Sequence, residues 1–289
     1  MNETFDADWL ALREPFDAAA RSVRLASQLA SLLPARPRLL DLGAGTGSLF
    51  RWLAPIIGRA QVWTLADADE HLLESAFVAC ADWGAARGYA ATWPGGAHNR
   101  ALVLHTPHGA WRIEALRVDL ADAPGSLPLD RADAVVCSAL LDLVGAAWLE
   151  RVAASLRVPL LACLTVDGRD RWAPSHPLDR LVLGGFRRDQ SRDKGLGHAL
   201  GRDAPGALHR ICATRGHTVR SAPSDWRIPR DGHAMLGMLT TSHATVAARQ
   251  RPAWRGAIEA WAQTRMAQVA AGRLAIRIGH RDSLILPTH

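Results

Sequence analysis

Residues 38–50 constrain this chain most tightly. They read Arg-Leu-Leu-Asp-Leu-Gly-Ala-Gly-Thr-Gly-Ser-Leu-Phe. A short apolar run ends in Asp41, Gly43, Gly45 and Gly47 follow at every second position, and an apolar helical pattern starts near Leu49. The pattern predicts a strand, a tight turn and a helix. Glycines there permit positive φ and let a ligand approach bare backbone. The first N–H groups of the helix have no intrahelical partner and point toward that ligand.

Spacing narrows the ligand. A dinucleotide loop reads G-x-G-x-x-G/A and would need Gly or Ala at position 48. Position 48 is Ser, and the third glycine comes one residue early. The stretch from Asp41 to Gly47, D-x-G-x-G-x-G, resembles motif I of the class I S-adenosylmethionine-dependent methyltransferases. That resemblance implies a Rossmann-like sheet of seven mostly parallel strands with an antiparallel last strand and helices on both faces. It implies S-adenosyl-L-methionine as cofactor, with Asp41, Gly43, Ala44, Gly45, Thr46 and Gly47 around its methionine and ribose parts.

The next parts of such a site are acidic residues at successive strand ends. Gln-Val-Trp-Thr-Leu-Ala, 61–66, is a buried-type strand ending at Asp67. An acid about 20 residues beyond the glycines can accept both ribose hydroxyls. Asp67, with Ala68 beside it, is therefore preferred over Asp69, which is placed to cap the following helix. Residues 101–118 hold two apolar stretches around the turn Thr-Pro-His-Gly, and predict a hairpin or an extended third strand ending in Asp119-Leu120. The resemblance implies that Asp119 and Leu120 meet the adenine. A strand-end turn would explain Asp119 equally well, given Asp122, Pro124 and Gly125 just beyond.

Residues 132–139 form a fourth strand that is apolar on both faces, as a buried parallel strand is. In the resembled family its end faces the transferred methyl, which singles out Ser138 and Asp142. Asp142 lies within an apolar run, where an unpaired carboxylate is costly. A helix N-terminus or a contact with the substrate would each account for it. Residues 159–166 predict a fifth strand. Residues 167–206 are rich in Arg, Asp, Gly, Pro and His and read as a long flexible loop. It leaves the sheet edge where ligands bind in open α/β sheets and is expected to be a substrate lid. Its phrase Arg-Asp-Gln-Ser-Arg-Asp-Lys-Gly-Leu-Gly-His resembles one in a bacterial subgroup encoded near pterin-synthesis enzymes. Arg188, Arg192 and Lys194 are its candidate substrate contacts, together with Arg13 near the N-terminus. His176 and His198 join Asp142 as candidate proton acceptors.

Residues 5–20 predict a helix broken by Pro15, and 21–33 a second helix, together a helical cap over the site. A helix over 205–215, a strand from His217, a helical region 232–271, and a hairpin-like pair, 273–278 with 283–286, complete a single expected domain spanning 1–289. No run approaches the roughly 18 apolar residues of a membrane span. The N-terminus lacks the basic and apolar regions of a signal peptide, and the four cysteines have no metal spacing, so a reduced, cytoplasmic protein is expected. The net charge of +6 is carried by scattered arginines, Lys194 being the only lysine. That scatter makes nucleic acid a weaker candidate partner than a small molecule. No Asn-Pro-Pro-Tyr or Asp-Pro-Pro-Tyr motif follows the fourth strand, Cys137 lacks the setting of a cytosine-methylating thiol, and no three-carboxylate metal constellation is visible. The expected function is methyl transfer to O or N of a polar small molecule. The alternatives are a cofactor-binding regulatory protein and an RNA methyltransferase, and a homodimer stays open. A dehydrogenase is disfavoured by Ser48.

Overall fold

The computed structural model describes residues 6–94 and 101–288. In chain order the elements are α1 (Ala7–Ala20), α2 (Val23–Leu32), β1 (Arg38–Leu42), α3 (Ser48–Ile57), β2 (Gln61–Asp67), α4 (Glu70–Ala85), β3 (Ala90–Thr92), β4 (Ala101–Thr106) and β5 (Gly109–Arg117). The second half continues with β6 (Ala134–Ser138), α5 (Ala146–Ser155), β7 (Leu160–Val166), β8 (Arg171–Ala173), α6 (Asp179–Gln190), α7 (Ala204–Ala213), β9 (Thr218–Pro223), β10 (Trp226–Ile228), α8 (His233–Gln250), α9 (Arg255–Ala270), β11 (Ala275–Ile278) and β12 (His280–Leu286).

The main sheet has nine strands in the order β3-β4-β5-β2-β1-β6-β7-β12-β9. Its centre, β5 through β7, is parallel, and β12 runs antiparallel to both neighbours. Nine strands replace the expected seven because 101–118 folds as the hairpin β4–β5 and β3 adds a further antiparallel edge. Along β1 the side chains alternate between two cores. Leu39 joins Leu25, Leu29, Phe50 and Trp63 from the α2–α3 side, while Leu40 and Leu42 join Trp148, Leu149, Leu208 and Ile211 from α5 and α7.

Three further expectations are corrected. α1 runs unbroken through Pro15. The expected loop 167–206 carries β8 and α6, and α6 packs along α8, where Gly185 lies close enough to Ala247 that a Cβ would sit 2.9 Å from its Cα. The expected terminal hairpin does not form. β11 pairs with β10 and β8 in a separate three-stranded sheet, and β12 enters the main sheet. The chain divides at Gly279, where a Cβ would fall 2.3 Å from Asp167 Oδ1.

β7 and β12 meet through a bulge. Thr165 opposes Arg281 and Ala162 opposes Ser283, so Cys163 and Leu164 together face Asp282. Leu164 takes φ +54°, and its N–H is received by the Asp282 carboxylate at 2.8 Å. Among the described residues no helix is long and apolar enough to cross a membrane.

Candidate functional site

The glycine turn lies at the carboxyl edge of the parallel strands. Gly43, Gly45 and Gly47 take φ of +65°, +53° and +77°, values L side chains rarely adopt. The turn is fastened to β2: the N–H groups of Gly43 and Ala44 both donate to Ala66 O, and that of Gly45 to Asp67 Oδ2 at 2.8 Å. Gly47 caps α3 without a side chain, and a Cβ there would press within 3.1 Å of Cys80 Sγ.

In front of this turn opens a cavity of about 780 Å³, with walls from α1, the ends of β1, β2, β6 and β7, and from α6, α8 and β12. Parallel strands all end on one side, so their terminal residues converge there. Asp41, Gly43, Ala44, Gly45, Thr46, Asp67, Ala68, Asp119, Leu120, Ser138 and Asp142 all line it, as do Arg13 and Lys194. Gly47 stands behind the wall.

The carboxylates differ in setting. Asp41 is buried, its Oδ2 has no hydrogen-bond partner among the described residues, and burial pushes its pKa up to about 8 against the pull of Arg21. Asp67 spends one acceptor position of each oxygen on backbone, Oδ2 on Gly45 N–H and Oδ1 on Asp69 N–H at 3.0 Å. Burial raises its pKa, and the hydrogen bonds from Asp69 and Gly45 oppose the rise. Asp69 caps α4 by receiving the N–H groups of His71 and Leu72. Asp119 is exposed and caps a short 3-10 turn through Ala121 N–H. Asp142 is buried with Oδ1 unpartnered, and burial lifts its pKa to about 6 while Arg13 and Lys194 draw it down.

Arg21, which no sequence motif marks, ties the helical N-terminus to this edge. Its guanidinium donates to Ser48 Oγ and Ser138 Oγ, both at 3.0 Å, and its Nε is buried without a partner among the described residues. Beside it Arg13 makes two hydrogen bonds to Asp17 and lies over the Trp226 ring at 4.8 Å, and Trp226 Nε1 donates to Asp17 Oδ1 at 2.9 Å. Phe186, His243 and His280 complete this wall.

The remaining candidates lie elsewhere. His176 sits before α6, where Nδ1 receives Leu178 N–H, outside the cavity lining. His198 is exposed in a separate depression of about 600 Å³ beside the start of α5. Arg188 and Arg192 are exposed and absent from the lining, and Arg192 pairs with Asp189 at 2.8 Å. Three histidines line the cavity, His71 exposed at the start of α4 and His243 and His280 buried. Helical spacing of His243 with Leu239, Leu236 and Ala247 marks a buried face of α8, but nothing local says that this face opens on a cavity.

No family model matches the chain, and none of the curated proteins compared with it does. Solved structures resemble it in fold. A candidate methyltransferase from Bacillus halodurans C-125 aligns over 92% of this chain and 99% of its own, at 13% identity and TM-score 0.50. A SAM-dependent methyltransferase from Thiobacillus denitrificans, in complex with S-adenosyl-L-homocysteine, aligns over 99% and 100% at 14% identity and TM-score 0.46. At its identity the likeness to the Bacillus halodurans protein is one of fold.

Proposed function

We propose that this chain is an S-adenosylmethionine-dependent methyltransferase acting on O or N of a polar small molecule. One observation carries the reading: a glycine turn and the acids Asp41, Asp67 and Asp119, from successive strand ends, converge on one cavity. The fold likeness to the Bacillus halodurans protein agrees with it.

The residues present fit the cofactor. Asp41 Oδ2 and Arg21 Nε are a buried acceptor and a buried donor with no partner among the described residues, and both residues line the same cavity. Those two residues suit the ammonium and carboxylate of a methionyl group, the ammonium drawing Asp41 to its carboxylate form. A Cβ at Gly45 would stand 3.3 Å from Leu10 Cδ1, so a side chain there would take space from the cradle. Asp67 retains lone pairs for the ribose hydroxyls, and Asp119 with Leu120 would border the adenine.

The cofactor, when bound, supplies an electrophilic sulfonium methyl. The protein's part is alignment and the exclusion of water, and such positioning can supply on the order of 7–11 kcal/mol of a barrier. Asp142 would hold the acceptor's proton on its carboxylate, with a pKa of about 6 that leaves it mostly ionised at neutral pH. We read α1 and the segment 167–206 as the covers of this site within one catalytic unit.

Calorimetry with S-adenosylmethionine, S-adenosylhomocysteine and NAD tests the cofactor, with micromolar binding of the first two expected and none of NAD. Incubation with methyl-labelled cofactor and a metabolite extract tests turnover. Binding without label transfer to any metabolite would favour the regulatory reading, and binding of NAD alone would overturn both.

A further inference from the structure

The wall built by α1, α6, α8 and β12 carries chemistry that the cofactor leaves unused. His243 is 4% exposed, and its ring lies parallel to Phe186 at 4.0 Å between centroids with 16° between planes. Its Nδ1 is 2.8 Å from Leu239 O. A carbonyl can only accept, so Nδ1 carries the proton and Nε2 is a bare lone pair. His280 repeats the arrangement: Nδ1 meets Ile278 O at 3.1 Å, and the ring rests 5.1 Å from that of Trp226. Neither Nε2 has a hydrogen-bond partner among the described residues, and neither belongs to the atoms sealed from solvent. Burial pushes both pKa values down to about 4, so both rings stay neutral near pH 7.

The donors nearest His280 are engaged with Asp17. Trp226 Nε1 donates to Asp17 at 2.9 Å, as do Nε and Nη2 of Arg13 at 3.0 and 3.2 Å. Asp142, on the same cavity, adds another acceptor. The other charged residues bordering this half are Lys194, Asp170, which pairs with Arg187 at 3.3 Å, the buried Asp189, which pairs with Arg192 at 2.8 Å, and Arg249, exposed at the rim. Trp9, Trp226 and Phe186 give flat apolar surface between them. Aromatic faces around two bare imidazole acceptors favour a flat ligand that brings a donor to them.

From this we infer that the methyl acceptor is a flat aromatic molecule bearing an N–H or O–H donor, oriented by a hydrogen bond to Nε2 of His243, with Nε2 of His280 as a second receiving point. The inference rests on the methyltransferase reading for the word acceptor, while the binding it predicts concerns this wall alone.

The test uses the full chain, labelled with 15N-histidine and saturated with S-adenosylhomocysteine, and two isosteric probes. Indole offers one N–H, and benzofuran offers an oxygen in its place. Indole is expected to bind about three- to tenfold more tightly than benzofuran, the worth of one neutral hydrogen bond, and to shift the 15N resonance of His243 Nε2. In His243→Phe, which keeps a ring against Phe186, the preference should vanish. Equal binding of the two probes, binding of neither, or an indole complex that leaves the His243 resonance in place would overturn the inference. Separate calorimetry of S-adenosylhomocysteine keeps the two readings apart: its failure to bind the wild type would sink the methyltransferase assignment, whichever probe the wall prefers in apo protein.

Discussion

The carboxylate of Asp282 receives the N–H of Ser22 at 2.7 Å, joining the last strand to the junction of α1 and α2 across 260 positions of sequence. The same side chain receives Leu164 N–H through its other oxygen, at 2.8 Å. One residue thus fixes both the bulge in β7, which brings Leu164 to the cavity, and the segment that carries Arg21 to Ser48 and Ser138. Asp282 is fully buried. Loss of its carboxylate strands two backbone donors in a dry interior, where each costs about 1–3 kcal/mol. Asp282→Ala should lower stability by about 2–5 kcal/mol, read by urea denaturation, and Asp282→Asn by roughly half of that because one oxygen remains.

Asp67 should matter for cofactor affinity more than for folding. A carboxylate hydrogen-bonded to neutral hydroxyls contributes about 1.5–3 kcal/mol. Asp67→Ala is expected to weaken S-adenosylhomocysteine binding roughly 10- to 100-fold by calorimetry. Unchanged affinity would remove Asp67 from the ribose site.

For Asp142 the readout is a pH profile. With its pKa near 6 the carboxylate is the proton-accepting form above that value, so kcat/KM for methyl transfer should rise through pH 6 to a plateau. Asp142→Asn should flatten this limb and lower turnover by about 10²- to 10⁴-fold. A retained limb in the variant would assign the titration to another group.

Stability should respond to acid through the two buried histidines of the cavity. Their folded pKa of about 4 lies below the ordinary 6.5. The unfolded chain therefore binds protons first, and the stability these rings hold above pH 6.5 is lost as pH falls toward 4. Each accounts for about 3 kcal/mol of that loss. His243→Phe should lose less stability than the wild type in thermal melts as pH falls from 6.5 to 4. Asp41 acts in the opposite sense: its folded pKa of about 8 stands above 3.8, so stability falls as pH rises between those values, and Asp41→Asn should remove that fall.

The glycine turn itself gives a further test. Gly45→Ala places a Cβ at φ +53° and 3.3 Å from Leu10. Backbone strain of this kind costs about 1 kcal/mol or more, seen as a lower Tm, and S-adenosylhomocysteine affinity should drop with it.

The sequence by itself determined the strand–turn–helix at 38–57, the strands that end at Asp67 and Ser138, and the shared edge of Asp41, Asp67, Asp119 and Asp142. Those features are local: alternation and apolar runs mark each strand, glycine spacing marks the turn, and parallel strands must all end on the same side. Only the tertiary structure decided what faces that edge. Arg21 reaches it because Asp282 holds Ser22, and His243 and His280 reach it because α8 packs on α6 and β12 pairs with β7. His176, His198, Arg188 and Arg192 look equally reactive in one dimension yet lie outside the cavity. A side chain's chemistry is written in its identity. Its access to a cavity and its burial depend on elements that meet across hundreds of residues, and no spacing within a single segment encodes that meeting.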